Sequence, residues 1–141
     1  MQNNVIIILA GGSGERYGLD KQFLPLNGIP IFIHTLKRFQ GFQKVLVVPE
    51  KYSDVALNAL SYFGGGDTVC IYGGNTRQES VFNALKYTKE GIDKYNKVDN
   101  VLITDANRPL ISRETIDKCL FEVKKHNIVA TVCKAINTAC I

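Results

Sequence analysis

Clusters of like charge are missing from this sequence: no run of one sign is longer than Lys124-Lys125, although the net charge is +4. Nucleic-acid-binding surfaces concentrate their cations, so scattered lysines do not argue for nucleic acid, whereas a mild excess of cations suits a small phosphorylated ligand. Apolar runs of membrane-spanning length and a signal peptide are missing as well. We therefore expect a cytoplasmic protein without nucleic-acid or membrane partners.

The cysteines are also not spaced in the way that metal ligands are. They contain no C-x-x-C pair and have no nearby histidine partners, so a zinc site is not expected. Each lies in or beside an apolar segment, which is typical of small buried residues in a reducing compartment. The four are Cys70, Cys119, Cys133 and Cys140.

The sequence has 141 residues, of which 45% are hydrophobic and 21% charged. A chain of this length and composition can bury a hydrophobic core. No repeat or linker divides the sequence, so residues 1–141 are expected to belong to one domain. Strands are predicted at 5–9, 44–49, 68–72, 98–104 and 128–133, and helices at 28–40, 53–63, 76–89 and 112–126. This alternation, with strands that are apolar throughout, predicts an open, mostly parallel, doubly wound α/β sheet with helices on both faces.

A glycine-rich loop follows the first predicted strand. Gly11, Gly12 and Gly14 let the backbone turn tightly and approach a ligand, and the N–H groups of such a turn form an anion site. Arg16 and Lys21 add two positive charges to the same loop, so a triphosphate is a natural occupant. The simpler alternative is a glycine turn with two solvated charges.

The spacing excludes the two common phosphate-binding loops. No Gly-Lys-Ser/Thr triplet occurs, which rules out a Walker A loop. Tyr17 stands at the third glycine of a dinucleotide fingerprint, and the loop continues through Lys21 and Pro25 before a helical pattern begins.

Two further polar segments, 73–81 and 104–110, follow the third and fourth predicted strands, and in a parallel sheet they share an edge with the glycine-rich loop. In the first, a glycine turn leads into a helix N-terminus with Ser80 one turn in; this suits a ligand or an ordinary helix start equally well. In the second, Asp105 can bind Mg²⁺ through its oxygens, although taken alone it is better explained as capping the turn before Pro109.

Together these segments resemble the signature of the cytidylyltransferases that make 4-diphosphocytidyl-2-C-methyl-D-erythritol, and of the related ribitol-5-phosphate cytidylyltransferases. The matching blocks appear in family order and cover nearly the whole chain. They are Leu9-Ala10-Gly11-Gly12-x-Gly14-x-Arg16-x-Gly18, Lys21-Gln22-Phe23-Leu24, Gly28-x-Pro30-Ile31, Gly73-Gly74-x-x-Arg77-x-x-Ser80-Val81 and Asp105-Ala106-x-Arg108-Pro109.

The resemblance implies transfer of CMP from CTP to a sugar- or polyol-phosphate with release of pyrophosphate and Mg²⁺ as cofactor. The first expected acceptor is 2-C-methyl-D-erythritol 4-phosphate, an isoprenoid precursor, and the second is ribitol 5-phosphate. Arg16 and Lys21 are the implied catalytic cations, Asp105 the metal and acceptor ligand, and Arg108 a further acceptor ligand. The implied CTP-binding residues are Leu9, Ala10, Gly11, Gly12, Gly14, Gly74, Asn75, Arg77 and Ser80.

The chain departs from the family pattern at two residues and in its length. Thr104 stands where the family usually has histidine, and Asn107 replaces a small residue and would face the acceptor pocket. Family members also continue with a dimerisation arm, a Gln-Thr-Pro-Gln motif and a late aspartate and lysine that this chain lacks. We therefore expect the N-terminal, nucleotide-binding part of an enzyme that is homodimeric in its full-length form, with this part alone inactive. A non-catalytic nucleotide-binding fragment is the alternative.

Overall fold

The structure is a computed structural model that describes residues 3–11, 20–92 and 97–132. The chain divides into two compact units, Met1–Ile111 and Ser112–Ile141. The strands described in the first unit are β1 (Asn4–Leu9), β2 (Pro25–Leu26), β3 (Ile29–Pro30), β4 (Gln43–Val48), β5 (Thr68–Tyr72) and β6 (Asn100–Asp105). The helices are α1 (Ile31–Arg38), α2 (Ser53–Phe63) and α3 (Arg77–Tyr87) in the first unit and α4 (Arg113–Glu122) in the second.

The main sheet is parallel and has the strand order β5-β4-β1-β6. β1 lies between β4 and β6, and each neighbouring pair runs in the same direction. The apolar residues of β1 and β4 are buried, as expected for strands that are covered on both faces. The predicted parallel sheet is confirmed, although β6 begins at Asn100 rather than Val98.

Helices cover both faces of this sheet. On one face Val5, Ile7 and Leu9 of β1 share a core cluster with Ala84 of α3. The alternate residues of β1 and β4 point to the other face and are fully buried as well: Ile6, Ile8, Leu46 and Val48. The chain passes from β1 to β4 to β5 in one direction and then returns to β6, so right-handed crossovers place α1 and α2 on one face and α3 on the other. The doubly wound fold is thus confirmed.

A short hairpin occupies the position where the sequence predicts the start of the first helix. β2 and β3 pair antiparallel through Asn27 and Gly28, whose φ angles are 51° and 77°. Asn-Gly is favoured in such two-residue turns because both residues tolerate a left-handed backbone. The prediction of a helix from residue 28 is therefore wrong: Pro30 is the N-cap and Ile31 the first helical residue.

The other helices of the first unit match their predictions closely. α2 ends at Phe63 and is capped by Gly64, where a φ of 81° suits glycine, and α3 begins after its predicted N-terminal residue, Thr76. A π-helical turn, Thr88–Ile92, follows α3. Among the described residues, no helix combines the length and apolar character needed to cross a membrane.

In the second unit, Ser112 caps α4 as predicted, because its hydroxyl accepts a hydrogen bond from the Thr115 N–H at 3.1 Å. The α-helix ends at Glu122 rather than near residue 126. After Glu122 the chain forms tighter turns, in which an N–H donates to the carbonyl three residues earlier. The Lys124 N–H, for example, donates to the Phe121 carbonyl.

The predicted strand at 128–133 is wrong for the residues that the structure describes. Residues 128–132 form no strand, and the side chains of Ile128 and Val132 are 87% and 91% exposed. A β-branched run favours a strand only where a neighbouring strand pairs with it and a packed face receives its side chains. Cys133, the last residue of the prediction, lies outside the described residues.

Candidate active site

The candidate site lies where the polar segments leave the carboxyl ends of the strands. Leu9 and Asp105 are register partners at the ends of β1 and β6. The Ala106 N–H donates to the Leu9 carbonyl at 2.8 Å, and the Gly73 N–H donates to the Val48 carbonyl at 2.9 Å. These hydrogen bonds carry the sheet pairing one residue into each loop. The segment after β6 is therefore held beside the end of β1, and the segment after β5 beside the end of β4, the strand next to β1.

This edge contains the topological switch point, because the chain moves from β1 towards β4 on one side and reaches β6 on the other. Ligands of open α/β sheets bind in the crevice at such a point. A cavity of about 260 Å³ opens there. It is lined by Leu9, Gly11, Gln22, Arg77, Ser80, Asp105 and Asn107.

The start of α3 combines a complete helix cap with a separate polar side chain. Thr76 accepts a hydrogen bond from the Glu79 N–H at 3.1 Å, and Glu79 Oε2 accepts one from the Asn75 N–H at 2.6 Å. The arrangement is close to a capping box, except that the glutamate bonds the N–H of the residue before the N-cap. Ser80 takes no part in it: the buried hydroxyl accepts from the Gly74 N–H at 3.0 Å and donates to the Thr76 carbonyl at 2.9 Å. Ordinary capping explains Thr76 and Glu79, whereas Ser80 is left facing the cavity.

Close packing explains the two glycines before α3. A Cβ on Gly73 would lie 2.8 Å from Ser80 Oγ, and one on Gly74 would overlap the Cβ of Glu79. Both contacts are shorter than real Cβ atoms tolerate. The glycines let the loop backbone approach the first turn of α3, and this approach brings the Gly74 N–H to Ser80.

Asp105 joins the second and third predicted segments. Its carboxylate forms an ion pair with Arg77 Nη1 through Oδ1 and a second, at 3.5 Å, with Arg108 Nε through Oδ2. The Asp105 side chain is 27% exposed and both arginine side chains are 64% exposed. Ion pairs this open to solvent contribute little to stability, so a ligand can displace either arginine at small cost.

The side chains that line the cavity offer few ligands to a divalent cation. Among the described residues, no group of three or more His, Cys, Asp or Glu side chains could hold a metal ion. Asp105 alone among the lining residues carries a carboxylate. Mg²⁺ keeps several of its waters and needs one or two carboxylates together with substrate phosphates. The cavity therefore fits a cation that arrives with a phosphorylated ligand better than a resident structural ion.

Gln22 lines the cavity, although its sequence context alone does not predict a role for it. It follows Lys21 in a 3₁₀ turn, Lys21–Phe23, and its side chain is buried. Gln22 Nε2 donates to the Ala10 carbonyl at 2.6 Å, which ties this turn to the end of β1. The sequence feature that points to Gln22 as a site residue is its place in the Lys21-Gln22-Phe23 block, which matches the family signature.

The sequence predicts no site role for Thr35 and Arg38 of α1, because there they are simply part of an amphipathic helix. The buried Thr35 hydroxyl donates to the Ala106 carbonyl at 2.7 Å, and Arg38 Nε donates to the Pro109 carbonyl at 2.7 Å. These bonds hold the turn that follows Asp105. Because the partners of each bond are 71 residues apart in sequence, no local sequence pattern predicts these hydrogen bonds.

The predicted site residues are only partly brought together. Gly12, Gly14 and Arg16 lie outside the described residues. Lys21 is exposed and adjoins the lining residue Gln22. Of the remaining predicted residues, Leu9, Gly11, Arg77, Ser80 and Asp105 line the cavity. Ala10 and Arg108 are chain neighbours of lining residues, Gly74 bonds the lining residue Ser80, and Asn75 is not among the lining residues.

A family model described as IspD: 2-C-methyl-D-erythritol 4-phosphate cytidylyltransferase matches residues 4–139. The chain belongs to this cytidylyltransferase family. It is 40% identical over 131 residues to the 2-C-methyl-D-erythritol 4-phosphate cytidylyltransferase of Clostridium beijerinckii, a match that covers 88% of this chain and 55% of the relative. It is 38% identical over 143 residues to the ribitol-5-phosphate cytidylyltransferase of Vibrio parahaemolyticus, covering 96% and 59%.

Solved structures share the fold of this chain. The 4-diphosphocytidyl-2C-methyl-D-erythritol synthase of Anaerococcus prevotii is 25% identical with a TM-score of 0.70, covering 88% of this chain and 52% of the other. A Mycobacterium tuberculosis protein solved as a complex with manganese shares the fold at 17% identity, with a TM-score of 0.60; the match covers 86% of this chain and 59% of the other. The chain spans between half and two thirds of the length of the two named cytidylyltransferase relatives.

Proposed function

We propose that the chain is the nucleotide-binding part of an enzyme that transfers CMP from CTP to a sugar- or polyol-phosphate and releases pyrophosphate. The observation that carries the proposal is the convergence of Gly11, Ser80, Arg77 and Asp105, from all three motif blocks, on one cavity at the switch point. Membership of the cytidylyltransferase family supports the same reaction.

Preference for a cytosine base is supported by the hydrogen bonds of Ser80. A hydroxyl has one donor and two acceptor positions. The donor of Ser80 is committed to Thr76 and one acceptor position to Gly74, so one acceptor position remains. Cytosine carries an amino group at position 4, where uracil carries a carbonyl oxygen. Ser80 could accept from the amino group but has no proton left for the carbonyl, which favours CTP over UTP.

The cationic residues would act on the phosphates. The acceptor phosphate is already an anion and needs little help from a base, so catalysis consists of in-line positioning and neutralisation of charge at the α-phosphate. Lys21 and Arg16 would stabilise that charge and the leaving pyrophosphate, while Arg108 would contact the acceptor. Asp105 would hold a divalent cation, for which we propose Mg²⁺; when bound, it would neutralise phosphate charge.

The proposal extends to the acceptor, the oligomeric state and the location of the full-length protein. We place 2-C-methyl-D-erythritol 4-phosphate first as acceptor, in isoprenoid precursor synthesis, and ribitol 5-phosphate second, since relatives with both names match this chain. We also propose a homodimer in the full-length form and a cytoplasmic location. A nucleotide-binding fragment without catalysis is the alternative of a different class.

Two measurements test the proposal. Calorimetric titration of the chain with CTP, UTP, ATP and GTP in the presence of Mg²⁺ should rank CTP first, and tighter purine binding would contradict the assignment. A coupled pyrophosphate-release assay, with each acceptor offered separately, should detect essentially no synthesis by the 141 residues alone. Turnover of about 1 per second or faster would mean that they suffice for catalysis.

A further inference from the structure

One short segment contacts the turn that carries Lys21 on both sides of that lysine. On its N-terminal side Asp20 pairs with Lys51 Nζ at 3.4 Å, and the Asp20 side chain is only 8% exposed. On its C-terminal side the rings of Phe23 and Tyr52 stack with centroids 4.4 Å apart and an interplanar angle of 24°. Lys51 and Tyr52 are neighbours in the 3₁₀ turn Glu50–Tyr52, which follows β4.

Charge and packing reinforce each other in this cluster. The hydrogen bond between Tyr52 and Asp20, together with burial, raises the pKa of the Tyr52 hydroxyl. Tyr52 and Lys51 therefore both interact with the buried carboxylate of Asp20. Lys51 Nζ also lies 4.7 Å from the centre of the Tyr52 ring, within cation–π range. Phe23 contacts Phe32 of α1 as well, with centroids 5.5 Å apart, so the turn is anchored to the helix layer too.

We infer that Lys51 and Tyr52 are positioning residues that hold the Lys21 turn in place for the reaction. What Lys21 does there rests on the proposed function, whereas the anchoring rests on the contacts of Asp20 and Phe23. A flexible, exposed lysine beside a phosphate loses catalytic effect when its backbone moves, and a misplacement of about 1 Å can reduce a rate up to about a hundredfold. Neither Lys51 nor Tyr52 lines the cavity, so they act through Lys21.

Hydrogen exchange tests the anchoring without any ligand. The Phe23 N–H bonds the Asp20 carbonyl at 3.0 Å, and the Leu24 N–H bonds the Lys21 carbonyl at 3.1 Å. Tyr52→Ala and Lys51→Ala should each speed exchange at these two amides by about tenfold, while Tyr52→Phe, which keeps the ring stack, should have a smaller effect. Tyr62→Ala is the matched control, since this α2 tyrosine is 83% exposed. Unchanged exchange in Tyr52→Ala and Lys51→Ala would overturn the anchoring.

A double-mutant cycle in a full-length, active form tests the link to Lys21. Tyr52→Ala should lower kcat by about tenfold and leave KM for CTP within about twofold, and it should lower kcat no further when Lys21→Ala is already present. An equal loss of kcat in both backgrounds would assign Tyr52 a general structural role and overturn the inference. Lys51→Ala repeats the cycle at a side chain that is 69% exposed, where loss of folding is not expected.

Failure of the proposed function would look different. A full-length wild-type protein that neither binds CTP nor releases pyrophosphate would contradict the cytidylyltransferase assignment. The exchange rates of the Phe23 and Leu24 amides would still decide whether Lys51 and Tyr52 anchor the turn.

Discussion

Arg77 and Asp105 form an ion pair from Nη1 to Oδ1, although 28 residues separate them in the chain. Arg77 stands in the first turn of α3 and Asp105 at the end of β6, so the pair forms only because the crossover through α3 returns the chain to the other side of β1. The pair places a proposed CTP ligand against the proposed metal ligand. Metal and nucleotide binding are therefore expected to be coupled.

Asp105→Asn tests this coupling. The amide keeps the size of the side chain but removes the charge that attracts a divalent cation, so the tightening of CTP binding by Mg²⁺ should fall from about tenfold or more to about twofold or less. Titration calorimetry with CTP, in Mg²⁺ and in a chelator, measures both values.

The matched control is Asp117→Asn, which breaks an exposed ion pair with Arg113 on α4. This variant should keep the Mg²⁺ dependence of the wild type. If Asp105→Asn also kept the full Mg²⁺ effect, another residue would have to hold the cation.

Ser80→Ala should reduce the discrimination between CTP and UTP by about tenfold, because a good base contact contributes roughly 1–3 kcal/mol of selectivity. It should also lower the free energy of unfolding by about 1–2 kcal/mol, since the Gly74 N–H loses its acceptor. Calorimetry with both nucleotides and urea unfolding measure the two effects. Ser61→Ala, at an exposed position of α2, should change neither quantity. Unchanged selectivity in Ser80→Ala would remove Ser80 from the base site.

Lys21→Ala in a full-length form should slow the chemical step far more than it weakens CTP binding. Removing one donor that acts on developing charge costs roughly 3 kcal/mol, or about two orders of magnitude in rate. Single-turnover kinetics separate the two effects. The exposed α1 lysine provides the control variant, Lys37→Ala, which should retain the wild-type rate. A change in KM alone would assign Lys21 to uniform binding of substrate and transition state.

Lys44 gives the fold a predictable response to pH. It is buried in β4, at the end of the sheet away from the candidate site, and its Nζ donates to the Phe42 carbonyl at 2.7 Å. Burial lowers the pKa of Lys44 from its ordinary value of 10.5, although Asp67 opposes the shift. The native state therefore loses this proton at a lower pH than the unfolded chain, and the contribution of Lys44 to stability rises with pH up to 10.5.

Urea unfolding of the wild type and of Lys44→Met, at about pH 7 and about pH 10, checks this sign. The free energy of unfolding of the wild type should increase relative to that of Lys44→Met at the higher pH. Lys37→Met, at an exposed lysine, should follow the wild type at both values. Parallel behaviour of wild type and Lys44→Met would show that the pKa of Lys44 is not lowered by burial.

Local chemistry was enough to predict much of this protein. The β-branched runs of β1 and β4, the Ser112 cap and the glycine stop after α2 depend on residues that are neighbours in sequence, so composition and spacing reveal them. The order of strands and helices then implied a doubly wound sheet. The motif blocks indicated the family, and the edge rule for parallel sheets indicated that the blocks would meet.

Only the tertiary structure decided which side chains contact one another. The partners of Asp105, the hydrogen bond from Gln22 to Ala10 and the anchoring of the Lys21 turn by Tyr52 join residues that are distant in sequence. Only the tertiary structure also decided the conformation of residues 128–132, whose composition favours a strand but which form none. A sequence pattern reports the preference of a segment for a conformation. Pairing depends on what the rest of the fold brings beside that segment.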